Sequence, residues 1–247
     1  MHPRGQPEVS VEPNSGTRPA EPERLSITHL LIWTALSAVL LAIDRATSQL
    51  PHLETSAFGQ MIAFIYAPLF GAGVFALLLA AWRATNGGPR FPSQPGHWLL
   101  VISGIQSLLH LSIGLIVAVA QLGVSWELLQ LGRLCEELAC GTLLVLAIRD
   151  SRRSWRVAFV CGLISYVFSL AGTALMQFGV FDFSPEREEG YLHWLTLLVC
   201  LCAVFDDCLT RAPRDYLHWM GLAVRFSYLS LVTAMPYLLR WWVAAFE

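Results

Sequence analysis

Apolar residues in this chain gather into seven blocks of roughly 20, each bounded by prolines, charges or short polar stretches. They run over about 25–43, 59–82, 98–121, 128–148, 157–181, 191–208 and 216–246. At about 1.5 Å per residue, such a block crosses a hydrocarbon layer about 30 Å thick. The pattern therefore predicts an all-α fold, a polytopic membrane helix bundle with about seven transmembrane helices. Pro68 predicts a kink in the second block. The last block has 31 residues, more than one crossing needs, so its start lies along the interface or its helix tilts or bends at Pro236. The string YLHW occurs at 191 and again at 216, but the residues that follow diverge and no repeat is read from it.

Ahead of the blocks, residues 1–24 hold Pro3, Pro7, Pro13, Pro19 and Pro22 among scattered charges. They read as a disordered cytoplasmic tail, and 25–247 as the transmembrane domain. The tail is too long and too acidic for the basic start of a cleaved signal, so the first block is expected to remain as an anchor.

Composition points the same way. The chain is 55% hydrophobic and only 14% charged, with mean hydropathy +0.54, which excludes an ordinary soluble domain. All 16 basic residues are arginine, and the formal net charge of −2 excludes nucleic acid as a partner. The lipid bilayer is the partner that the pattern demands, with other membrane subunits as further candidates. Cys135, Cys140, Cys161, Cys200, Cys202 and Cys208 all lie in or beside apolar blocks, where they serve as small packing residues rather than disulfides.

Arginine placement sets the orientation. With the N-terminus in the cytoplasm, the tail and the loops after spans 2, 4 and 6 carry eleven arginines, whereas the opposite side carries Arg45, Arg187 and Arg240. Glu247 then lies outside, and the location expected is a bacterial-type cytoplasmic (inner) membrane, crossed several times.

Span 4 poses the chemical question. It carries Arg133, Glu136 and Glu137 far from its ends, and Glu137 is 11 residues from Ile148, close to the bilayer midplane. An ionised carboxylate there costs roughly 2.5–3.5 kcal/mol unless something offsets it. Arg133 reaches both acids at i+3 and i+4. The short link 122–125 makes spans 3 and 4 an antiparallel hairpin, which sets His110 level with Glu137. Gln106 and Ser107 lie one turn below. The candidate site is thus a polar intramembrane cluster of His110, Arg133, Glu136 and Glu137, with Glu137 and His110 expected to meet.

Other features read as packing. Cys161, Ser165, Ser169, Thr173 and Gln177 recur every fourth residue in span 5, as on a close-packed helix face. Asp206 and Asp207 end span 6 beside Arg211 and Arg214 and read as interfacial pairs. His29, His97 and His218 share one interface, yet boundary residues surround each of them and no metal site is assigned. No cofactor is assigned either.

The adjacent acids invite an enzyme reading. The pair resembles the E-E-x-x-x-R run of the CAAX-processing intramembrane glutamate proteases over two residues. Gly141 stands where that run needs arginine, and neither His193 nor His218 carries the flanking Phe or Asn of that pattern, so no catalytic residue is carried over. The expected function is a non-enzymatic structural or accessory membrane subunit. The alternatives are a small transporter or proton-coupled permease using the Glu/His cluster, and an intramembrane enzyme with the acidic pair as general acid and base.

Overall fold

Among the described residues, each apolar block lies in a helix. The computed structural model describes residues 26–48, 57–86, 91–120, 126–177, 185–210 and 214–246. Among them stand α1 (Ile27–Ser48), α2 (Ala57–Asn86), α3 (Pro95–Ala120), α4 (Trp126–Asp150), α5 (Arg153–Gln177), α6 (Pro185–Leu209) and α7 (Tyr216–Phe246), with no strand. The tail 1–24, the link 122–125 and Glu247 lie outside the described residues.

Local chemistry sets the helix starts. α3 and α6 open on a proline, whose missing N–H costs nothing in the first turn. Ser26 caps α1 by accepting the His29 N–H at 3.2 Å. Asp215 caps α7 by accepting the His218 N–H at 2.9 Å. Within the helices, hydroxyls turn back on their own backbone: Thr34 bonds the Leu30 carbonyl, Ser107 that of Ser103, Thr142 that of Leu138. A hydroxyl satisfied in this way can sit in an apolar medium at little cost.

Among the described residues, three helices have stretches long and apolar enough to cross a membrane: Ala63–Asn86, Pro95–Ile113 and Arg153–Gly172. The pair Tyr216–Met235 and Tyr237–Val243, bent by 46°, makes a fourth when its two parts are taken as one span. The bend falls at Pro236, which removes one ladder hydrogen bond. α1 has a shorter apolar stretch, Ile27–Ile43, while α4 and α6 carry acids that lower their hydropathy.

Packing centres on α3, which joins two buried clusters. One holds Trp98, Ile102, Leu144, Trp155 and Phe159. The other holds Phe75, Leu79, Leu100, Leu217 and Val224. Small residues let α3 approach its neighbours: a Cβ on Gly73 of α2 would lie 2.6 Å from the Gly104 nitrogen, and one on Gly221 of α7 would strike the Gly96 carbonyl. Helices without a water-driven force between them associate through such contacts. The outer surface is rich in large apolar side chains, among them Phe64, Leu131, Leu138, Leu198 and Phe205, each more than half exposed. Such a surface suits hydrocarbon rather than water.

Candidate functional site

Midway along the helices, α4 turns its two acids to different neighbours. Consecutive helical residues point about 100° apart, so Glu137 faces α5 and Glu136 faces α3. Glu137 is buried. Its Oε1 accepts the Ser169 hydroxyl at 2.6 Å and the Arg133 Nε–H at 3.1 Å. Arg133 also donates through an Nη to the Ser169 Oγ at 3.0 Å, closing a three-member ring across α4 and α5. The second oxygen, Oε2, is buried and takes no donor among the described residues.

Glu136 is half-buried, and its Oε1 accepts the Gln106 Nε2–H at 2.7 Å. The same amide nitrogen lies 3.0 Å from the Tyr228 hydroxyl, while Gln106 Oε1 faces an Arg225 Nη at 3.5 Å. Donors toward the carboxylate and acceptor toward the guanidinium fix the amide orientation. Arg225 is buried, with its guanidinium carbon 5.4 Å from the centre of the Tyr228 ring, and Tyr166 lies against it. Gln106 on α3 is therefore the bridge between α4 and α7. The cluster holds two guanidinium groups and two carboxyl groups, a balance that a low-dielectric site requires.

His110 has a different place from the one expected. It is exposed, its ring lies 6.2 Å from that of Phe70, and it interacts electrostatically with Glu136. The partners of Glu137 are Arg133 and Ser169, and His110 makes no hydrogen bond to it. Counting along the hairpin speaks only to depth, and α4 turns Glu137 toward Ser169 of α5 and Glu136 toward Gln106 of α3. Of the four residues singled out in the sequence, Arg133 and Glu137 bond directly, and Glu136 stands beside them on another face. Ser107 is buried and spends its hydroxyl on the Ser103 carbonyl.

Sequence reasoning assigned no role to Arg225, Gln106 or Tyr228. Arg225 lies inside an apolar block, the same anomaly that marks Arg133, and that signal was available. Gln106 was placed near the site, but its bridging role has no sequence signature. Of the span 5 stripe, Ser169 enters the cluster and Ser165 meets Thr196 of α6 at 3.2 Å. The side chains of Thr173 and Gln177 lie outside the described residues.

A second polar knot ties the end of the bundle where α3, α5 and α7 begin. Asp207 accepts the Trp155 indole N–H at 2.8 Å and two Arg214 donors at 2.6 and 3.1 Å. The Ser93 N–H points at His97 Nδ1 at 3.3 Å, which leaves Nε2–H to donate to Asp215 Oδ1 at 2.8 Å. The Gly96 N–H likewise occupies His218 Nδ1 at 2.9 Å, and His218 Nε2 lies 3.6 Å from Asp207 Oδ2. His29 bonds the Tyr216 hydroxyl at 2.7 Å. The three histidines thus have separate partners. Burial alone would raise the Asp215 carboxyl; the hydrogen bond and charge of His97, with the His218 N–H, outweigh it and hold the group below its ordinary value.

No protein family, curated protein or solved structure matches the chain.

Proposed function

We propose that the chain is a seven-span integral protein of the cytoplasmic membrane, with its N-terminus inside and Glu247 outside, acting as a non-enzymatic structural or accessory subunit. The arginine asymmetry supports the orientation, and the apolar outer surface supports the lipid environment. One observation carries the role. The acids of α4 are matched by side chains of α3 and α5, and Gln106 relays one of them to α7. The cluster's hydrogen bonds thereby hold four helices in register, each such bond contributing about 0.6–2 kcal/mol in a membrane.

Native mass spectrometry of the protein extracted from its membrane in mild detergent tests the role. A complex with a second kind of membrane subunit is the expected result. A lone chain that transports solute after reconstitution contradicts it and favours a small proton-coupled permease. One feature favours that second reading: Glu136 has no guanidinium bonded to it among the described residues.

A further inference from the structure

A groove of about 530 Å³ runs between α6 and α7, toward the end of α7. Trp194 of α6 forms one wall, and Ser230, Ala234, Tyr237, Leu238 and Trp241 of α7 form the other. The lining is almost wholly apolar. Thr233 also lines it, but its hydroxyl donates to the Leu229 carbonyl of its own helix and is not free to bond an occupant. Trp194, Tyr237 and Trp241 are each more than half exposed, so the groove opens at the side of the bundle. The 46° bend of α7 lies between Ala234 and Tyr237, inside the groove.

Length, width and charge select the occupant. From Ser230 to Trp241 is 11 residue steps, about 16 Å along the helix, close to half of a hydrocarbon layer about 30 Å thick. Spread over that length, 530 Å³ gives a mean section of about 32 Å², roughly 6 Å across, whereas a helix with its side chains needs about 10 Å. The slot therefore seats a hydrocarbon chain of one leaflet and is too narrow for a transmembrane helix. Arg240 stands where such a chain would end. It follows Tyr216 by 24 residues, about 36 Å along α7, which sets it at headgroup level when Tyr216 stands at the opposite interface. It precedes Trp241 and lies less than one turn past Tyr237, is exposed, and forms no ion pair among the described residues. A guanidinium there presents paired donors that match phosphate oxygens, and Trp and Tyr rings favour the same depth. We propose that the α6–α7 groove holds one acyl chain of a membrane phospholipid whose phosphate is bound by Arg240. This goes beyond the subunit role and does not depend on it.

Native mass spectrometry of the full chain in mild detergent tests the assignment, with titration by dioleoyl phosphatidylglycerol or by dioleoylglycerol, which has the same chains and no phosphate. Saturable binding of one phosphatidylglycerol per chain is expected. Dioleoylglycerol should bind more weakly by roughly fivefold, and Arg240→Gln should weaken phosphatidylglycerol by a similar factor. Ala234→Phe, which fills the groove, should abolish the tight site. Leu138→Phe, on the exposed face of α4, should leave it unchanged. Unsaturable uptake, equal binding of dioleoylglycerol, unchanged affinity in Arg240→Gln or Ala234→Phe, or an equal loss in Leu138→Phe would overturn the proposal. A second polypeptide retained by the wild type in place of lipid and lost from Ala234→Phe would also overturn it, by giving the groove to a helix. If Ala234→Phe fails to fold, Arg240→Gln decides: weakened binding supports the site and unchanged binding sinks it. A lone chain that transports solute would contradict the subunit role and leave every one of these readings intact.

Discussion

A carboxyl group many residues inside an apolar helix persists by finding donors or by taking a proton. Glu137 finds donors on two sides of one oxygen, from Arg133 and Ser169. Removing the Ser169 hydroxyl leaves a buried acceptor short of its nearer partner. Ser169→Ala should therefore lower stability by about 1.5–3 kcal/mol, the range for hydrogen bonds to charged groups, as read by unfolding in a denaturing detergent series. His110→Leu should change stability by less than about 1 kcal/mol, because the imidazole is exposed and bonds neither acid. A large loss from His110→Leu would restore the pairing with Glu137 that depth alone suggested. At the far end of the bundle, Asp215 is held low by His97 and by the His218 N–H. A carboxyl lowered in the folded state contributes stability that is fully present above its ordinary value and lost as pH falls through the lowered one. Thermal stability should thus decline on acidification below about pH 4, and Asp215→Asn should flatten that part of the profile. An unchanged profile would show that the His97 contact does not persist.

At the scale of elements, the close approaches of α3 carry the packing. Gly104→Val should separate α2 from α3, since added carbons would meet the Gly73 backbone and Leu77. A loss of about 1–3 kcal/mol is expected, as for overpacked cores, and a neutral outcome would mean that the two helices slide freely. The same elements show what a sequence reveals. Block limits follow from counting residues, so the seven helices among the described residues were legible. Rotation was hidden. Apolar residues surround these helices on nearly all sides, so no stripe marks which face meets which neighbour. Glu136 and Glu137 differ by one position and serve different helices for this reason. Arg225 was visible as a buried charge, but its route to Glu136 runs through Gln106, a polar residue with no charge to announce it.

For the whole molecule, orientation and cohesion are separate questions. Reporter fusions at the α4–α5 corner, where Arg149, Arg152, Arg153 and Arg156 gather, should read cytoplasmic, and fusions at Glu247 should read outside. Opposite signals would reverse the proposed topology and leave the helix packing untouched. Cohesion rests on the bridge from α4 through α3 to α7. The most direct measurement is a double-mutant cycle of Gln106→Leu and Glu136→Leu, read by global unfolding of the protein in mixed micelles. If Gln106 is the shared partner, the two losses together should fall short of their sum by about 0.6–2 kcal/mol. Strictly additive losses would mean that the amide and the acid do not meet, and the cluster would no longer account for how these four helices hold together.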